Sequence, residues 1–147
     1  MSYQLYTIGY GNRTPEQFKQ VIAASGVTDI YDIRRKGKAR LRCYDPGSIR
    51  KLLGERYYEH IPELSKGEDE SFDDYTASLG GDRKKAAAGL ADSLFADFQL
   101  ALNPCLLCAE GKVFDDLKHP RCHRFYLAQF LKSVLEAAGI RVHIRHL

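Results

Sequence analysis

The feature that most constrains the fold is a regular alternation of short apolar segments with longer segments of helical periodicity. Strands are predicted at 3–8, 27–33, 56–61, 105–109 and 141–144, with helices at 15–25, 45–53, 84–98 and 121–138. Such alternation indicates parallel strands joined by helical crossovers. We therefore predict a single-domain α/β fold, a three-layer α/β/α arrangement with a mostly parallel sheet of about five strands. The alternative is a mixed sheet in which the last strand runs antiparallel.

The boundaries of the first helix are the most clearly marked. Thr14, Pro15 and Gln17 form a capping box with proline at the first helical position. Gly26 follows the last apolar residue of the pattern and favours a left-handed end to the helix. By contrast, residues 65–82 are polar and show no period, so we predict an irregular surface insertion there within the single domain 1–147.

The composition favours a cytoplasmic protein that does not associate with membranes. The chain has 147 residues and 44% hydrophobic content, enough for one core. No apolar run approaches the roughly 18 residues that span a bilayer, and the N-terminus lacks the basic-then-apolar pattern of a secretion signal. A core of this size needs no disulfides, so the four cysteines are expected to be free thiols.

The charges are clustered, although a net charge of +3 does not by itself indicate a nucleic-acid partner. Six basic residues crowd the stretch 34–42, and five acidic residues crowd 68–74. We interpret the acidic run as a solvated loop. The basic run follows a predicted strand, so it is either a solvated loop or an anion-binding segment.

Polar side chains gather where the predicted strands end, which is where parallel α/β sheets bind ligands. If the strands are parallel, five sequence-distant groups face one crevice. They are Asn12 and Arg13, then Asp32, Arg34 and Arg35, then Glu63, then Cys108 and Glu110, and finally Cys122, His123 and Arg124 at the next helix start. We expect Cys108, Glu110 and Arg124 to lie in contact with one another.

The start of the last helix combines features suited to anions and to thiol chemistry. Backbone amides, the helix dipole and the guanidinium groups of Arg121 and Arg124 attract phosphate or carboxylate. A thiol at this position has a lowered pKa, so Cys122 is a candidate nucleophile; the alternative is a small buried residue. His123 is either a capping or solvent-facing imidazole or a functional one. Arg124 is suited to pairing with Glu110.

Cysteine spacing limits metal binding. Cys105 and Cys108 lie three positions apart in one predicted strand, so their side chains point to opposite faces and do not readily share an ion. A site built from Cys108, Cys122 and either His119 or His123 stays open as an alternative. We predict neither a metal nor a cofactor.

Five short motifs follow one another along the chain. They are Thr7-Ile8-Gly9 with Asn12-Arg13-Thr14, Tyr31-Asp32-Ile33-Arg34, His60-Ile61-Pro62-Glu63-Leu64, Leu106-Leu107-Cys108-Ala109-Glu110 with Cys122-His123-Arg124, and Val142-His143-Ile144. Through them the chain resembles the bacterial and archaeal family called domain of unknown function 488, over nearly its whole length. The resemblance implies the same fold and site, and it brings no established reaction.

Two positions depart from the pattern of that family. Tyr10-Gly11 stands where the family has a histidine and a small polar residue, and Ser65-Lys66-Gly67 replaces a pair of glycines. Any role of the missing histidine therefore does not carry over to this chain.

These observations favour a protein that binds or acts on a small anionic molecule of the nucleotide or phosphate type. The expected anion ligands are Arg13, Arg34 and Arg124. Glu110, with Asp32 or Glu63, is the candidate general base, and His123 is a candidate to orient the substrate or donate a proton. One alternative is a non-catalytic nucleic-acid accessory domain that uses the basic 34–42 loop, and another is a zinc-stabilised structural module.

Overall fold

The computed structural model describes residues 2–11, 13–35, 44–109 and 122–147. The strands are β1 (Ser2–Gly9), β2 (Asp29–Asp32), β3 (Tyr57–His60), β4 (Pro104–Cys108) and β5 (Arg141–His146). The helices are α1 (Pro15–Ser25), α2 (Pro46–Leu53), α3 (Phe72–Ser78), α4 (Lys84–Gln99) and α5 (His123–Ala137), with a 3-10 turn at Pro62–Leu64 after β3. Among the described residues, no helix has the length and apolar character required to cross a membrane.

The five strands form one sheet in the order β3-β2-β4-β1-β5. All four neighbouring pairs are parallel, which confirms the predicted α/β fold with a mostly parallel sheet. The alternative of an antiparallel last strand is wrong. β5 runs parallel to β1, with Ser2 opposite Arg141 and Thr7 opposite His146.

The connections of the two neighbouring strands β1 and β4 lead to opposite faces of the sheet. One apolar cluster joins the sheet to α1 and α2 through residues such as Phe18 and Ile49, and the other joins it to α3, α4 and α5 through residues such as Tyr75 and Leu131. α1 follows β1 and α5 follows β4, so the carboxyl ends of these strands are the point at which the connections change face, where a crevice is expected. Open α/β sheets bind ligands at such a switch point.

The predicted limits of α1 are confirmed. The Thr14 hydroxyl accepts a hydrogen bond from the Gln17 amide at 3.1 Å, and the Gln17 side chain accepts one from the Thr14 amide at 2.9 Å. Gly26 ends the helix with φ of 77°, a conformation that costs glycine little. The Thr14 cap fixes the start of α1 directly after Arg13, and Gly26 fixes its end.

The stretch expected to be irregular contains a helix, α3. Ser71 caps it by accepting a hydrogen bond from the Asp74 amide at 3.0 Å. Tyr75 and Leu79 are fully buried, and the Tyr75 hydroxyl donates to the Leu64 carbonyl at 2.7 Å. The exposed face of α3 is polar enough to conceal this short buried stripe in the sequence.

The amino edge of the sheet holds two buried aspartates. Asp29 begins β2, and Asp97 lies in the last turns of α4, where its Oδ2 accepts a 2.7 Å hydrogen bond from the Tyr31 hydroxyl. Burial raises the pKa of Asp97 to about 6; the negative charge of Asp29 adds to the rise, and the Tyr31 hydrogen bond opposes it. A carboxyl group at this edge is therefore held partly protonated near neutral pH.

Candidate functional site

At the carboxyl ends of β1 and β4, where the crevice is expected, the residues that follow the two strands contact each other. The Gly11 amide donates to the Ala109 carbonyl at 2.8 Å. On the β1 side, Arg13 folds back so that its Nη1 donates to the Gly9 carbonyl at 2.6 Å. The guanidinium of Arg13 is thus held over the end of β1 and is half-buried.

Two thiols and a guanidinium meet under this crevice. Cys108 ends β4 and Cys122 directly precedes α5; both are buried, and their Sγ atoms lie 2.7 Å apart. Arg124 is completely buried, and its Nη1 donates to Cys108 Sγ at 3.3 Å. The predicted contact between Cys108 and Arg124 is confirmed. Glu110, Arg121 and Asn12, which were also assigned to the site, lie outside the described residues.

Arg13 and Arg124 bring two positive charges to the same crevice. Burial lowers the pKa of the Arg13 guanidinium, and the positive charge of Arg124 lowers it further, while Tyr44 opposes both effects. Like charges lower one another's pKa only when they are close, so the two guanidinium groups share one electrostatic environment. This environment favours a negatively charged ligand.

Asp32 and Arg34, at the end of β2, are bound to each other and to the protein interior. The Asp32 carboxylate accepts hydrogen bonds from Arg34 Nε at 2.8 Å, Arg34 Nη2 at 2.7 Å, the Arg34 amide at 3.1 Å and the Tyr58 hydroxyl at 2.5 Å. The remaining Nη1 of Arg34 donates to the Tyr44 carbonyl. We call this set, Asp32, Arg34, Tyr44 and Tyr58, the β2 network.

The electrostatics of the β2 network oppose a role in ligand binding. Burial alone would lower the pKa of Arg34, but the hydrogen bonds and charge of Asp32 outweigh it and raise the pKa above its ordinary value. The pKa of Tyr58 is also raised, by burial and by its hydrogen bond to Asp32. Asp32 and Arg34 are therefore engaged with each other and with Tyr44 and Tyr58, and the general-base and anion-binding roles expected for them stay predictions.

His123 anchors the start of α5 to the end of β2. Its Nε2 lies 3.1 Å from the Ile33 carbonyl, and because a carbonyl only accepts, this nitrogen carries the proton. The ring packs edge-on against Tyr75, with centroids 5.4 Å apart. The contact is not a helix cap, because its acceptor follows β2 and is not part of α5, and it gives His123 a positioning function.

The structure adds a histidine that the sequence argument did not place at the site. His146, at the end of β5, has its Nδ1 2.6 Å from the Thr7 hydroxyl of β1. Burial lowers the pKa of His146, and the charge of Arg124 lowers it further, so the imidazole is kept neutral. The sequence signal for His146 is a polar residue at the end of the last strand. This signal places the histidine at the carboxyl edge of the sheet only if the strand runs parallel to its neighbours.

The other predicted site residues lie apart from the thiols. Glu63 is exposed on the 3-10 turn and lines a groove of about 580 Å³ with His60 and Arg83. Arg35 pairs with Glu68 on the surface. Arg34 and Arg35, the first residues of the basic run, are thus engaged within the protein, and residues 36–42 lie outside the described ranges.

The cysteines divide between the two faces of the sheet, as their spacing predicts. Cys105 belongs to the apolar cluster of α1 and α2, and Cys108 to that of α3, α4 and α5. Cys105, Cys108 and Cys122 are not joined in disulfides, and Cys43 lies outside the described residues, so the predicted thiol state of all four stays a prediction. In the described ranges, no three His, Cys, Asp or Glu side chains are grouped to hold a metal ion. The alternative site with His119 also extends beyond them.

The chain matches no family model, and no curated protein or solved structure shows detectable similarity to it. The resemblance to the domain of unknown function 488 family therefore rests on the sequence motifs alone. The function is accordingly argued from the geometry of the crevice.

Proposed function

We propose that this protein binds a small anion of the nucleotide or phosphate type in the crevice between the carboxyl ends of β1 and β4. The observation that carries the proposal is the position of Arg13, whose guanidinium is held at the end of β1 by the Gly9 carbonyl; burial lowers its pKa, and the charge of Arg124 lowers it further. An anion placed beside both guanidinium groups would relieve their mutual repulsion. We also propose that the chain belongs to the domain of unknown function 488 family. Two of the motifs that carry this resemblance, the one that contains Cys108 and Cys122-His123-Arg124, meet below this crevice.

The two arginines have different parts in the proposal. Arg13 is half-buried, and Gly9 is its one hydrogen-bond acceptor among the described residues, so its guanidinium is able to contact a ligand directly. Arg124 is completely buried, and it acts through its charge and by holding Cys108. A phosphate group suits this arrangement because a guanidinium presents two parallel donors to adjacent phosphate oxygens.

The crevice also holds a group suited to proton transfer. Burial and the charge of Arg124 lower the pKa of His146, which favours its neutral form, and a neutral imidazole is able to accept a proton from a bound molecule. We propose His146 as the candidate base, beside Glu110, which the sequence suggests for the same role. Cys108 and Cys122 are the candidate nucleophiles.

The proposal is tested by calorimetric titration of inorganic phosphate, a nucleoside monophosphate and a sugar phosphate into the wild type and Arg13→Ala. The wild type is expected to bind at least one of them more tightly than millimolar. Arg13→Ala is expected to weaken that binding by about tenfold or more, because a charge-assisted hydrogen bond contributes roughly 1.5–3 kcal/mol. Arg13→Lys keeps the charge without the fork and should fall between the two.

The matched control is Lys19→Ala. Lys19 lies on the exposed side of α1, where its Nζ is 3.9 Å from a carboxylate oxygen of Glu16. The substitution removes the same unit charge from the helix that follows Arg13, so it should leave anion binding nearly unchanged. The proposal fails if no anion binds the wild type more tightly than millimolar, or if Arg13→Ala binds as well as Lys19→Ala.

A further inference from the structure

We propose that Cys108 and Cys122 are a site of oxidative modification, at which the two thiols form a reversible disulfide when the protein meets a hydroperoxide. The inference is independent of anion binding, because it depends only on how the two sulfur atoms are placed.

The sulfur atoms are already in contact. The Sγ atoms of Cys108 and Cys122 lie 2.7 Å apart, although the residues are 14 positions apart in the chain. A disulfide requires them to approach to about 2.0 Å, and this is a small further movement. Each sulfur comes from the end of a regular element, one from β4 and the other from the cap of α5, so the fold itself brings the pair together.

The third described cysteine is excluded from this reaction by the sheet. Cys105 is completely buried on the opposite face, within the α1 and α2 cluster. Burial also raises the pKa of its thiol, so the reactive thiolate form is strongly disfavoured there. Cys105 therefore serves as an internal reference that should stay reduced.

The reaction is balanced with one hydroperoxide for each disulfide. One thiolate attacks the peroxide oxygen, which breaks the O–O bond and leaves a sulfenic acid and one water or alcohol molecule. The second thiol then attacks the sulfenic sulfur, forms the S–S bond and releases the sulfenic oxygen as water. Both sulfurs are buried, so a small oxidant such as hydrogen peroxide is suited to the first step. The second sulfur already contacts the first, so the second step needs no large movement.

Oxidation would also change the surroundings of Arg124. In the reduced protein Arg124 Nη1 donates to Cys108 Sγ at 3.3 Å, and a disulfide would bond this sulfur to Cys122 Sγ. The new bond would link two points 14 positions apart and restrict the unfolded chain. A rise of several degrees in the melting temperature is therefore expected.

The experiment treats the full-length wild type with a slight molar excess of hydrogen peroxide. Two of the four thiols should be lost in titration of the denatured protein, and both should return with dithiothreitol. Mass spectrometry should find a peptide that links Cys108 to Cys122. Trypsin leaves Cys105 and Cys108 in one peptide, so the map is repeated on Cys105→Ser, in which the same link should form.

Cys122→Ser provides the second arm. This variant should lose the link and accumulate sulfenic acid on Cys108, which dimedone traps. The inference is overturned if peroxide leaves all four thiols intact, if the link joins other cysteines, or if Cys108 oxidises to sulfinic acid with no link in the wild type. The wild-type map decides the matter even if Cys122→Ser does not fold, and every readout is independent of ligand binding.

Discussion

Each half of the carboxyl edge of the sheet holds a buried arginine, and the two are held differently. In the β2 network, Arg34 is matched by the Asp32 carboxylate through hydrogen bonds of 2.7 and 2.8 Å. In the half formed by β1, β4 and α5, Arg124 donates to the Cys108 thiol at 3.3 Å and its charge acts on Arg13. The first half joins an arginine to a carboxylate two residues away, and the second brings two arginines and two thiols together.

The pKa values of Arg34 and Arg13 are shifted in opposite directions. Asp32 outweighs burial and raises the pKa of Arg34, whereas burial and the nearby Arg124 lower the pKa of Arg13. A matched buried ion pair fixes a conformation, and gathered like charges favour a counter-ion. The difference supports the proposal that the β2 network stabilises the fold and that an anion binds at the β1–β4 half.

The largest expected effect comes from breaking the β2 network. Asp32→Ala leaves the Arg34 guanidinium, which is 8% exposed, without its carboxylate and removes the acceptor of the Tyr58 hydroxyl. Breaking a buried ion pair in this way should lower the free energy of unfolding by about 3–5 kcal/mol. Chemical denaturation followed by circular dichroism measures the change.

The control for Asp32→Ala is Glu68→Ala, which removes the partner of Arg35 at the surface. Both side chains of that pair are exposed, so little change in stability is expected. If the two substitutions prove equally mild, the β2 network does not have the structural role assigned to it.

A smaller effect on stability is expected from substituting Asp97, at the amino edge of the sheet. This buried aspartate accepts a hydrogen bond from Tyr31 and lies near the carboxyl group of Asp29. The folded-state pKa of Asp97 is about 6, above the ordinary 3.8, so the folded protein binds the extra proton. The stability contributed by this proton is present below about pH 4 and is lost as the pH rises to about 6. Asp97→Asn should remove this slope and raise the free energy of unfolding at pH 7 by roughly 1–3 kcal/mol.

The pH series is measured by denaturation at several pH values between 4 and 7, with Asp92→Asn as the control. Asp92 is an exposed aspartate on the same helix, so its substitution should leave the slope unchanged. A slope that persists in Asp97→Asn would show that another group is responsible.

The layout of the fold was predictable because local signals and periodicity agreed. The Thr14 capping box and Gly26 fixed α1, and the wholly apolar segment around Leu106 indicated an inner parallel strand. The helix α3 was missed because its buried side consists of little more than Tyr75 and Leu79 within an acidic stretch. Ser71 followed three positions later by Asp74 was a usable capping signal.

The site was only partly predictable. The contact of Cys108 with Arg124 follows from a strand end facing the next helix start, and the sequence predicted it. The capture of Arg34 by Asp32 was not foreseen, because residues two apart at the end of a strand meet only when the chain turns there. His146 needed the direction of β5, which depends on long-range pairing with β1.

Anion binding between β1 and β4 can be observed by soaking crystals of the protein in tungstate, a heavy-atom analogue of phosphate. We expect anomalous density within hydrogen-bond distance of the Arg13 guanidinium, in the crevice above Arg124, and its loss in crystals of Arg13→Ala. Density at another site, with this crevice empty at saturating tungstate, would contradict this expectation.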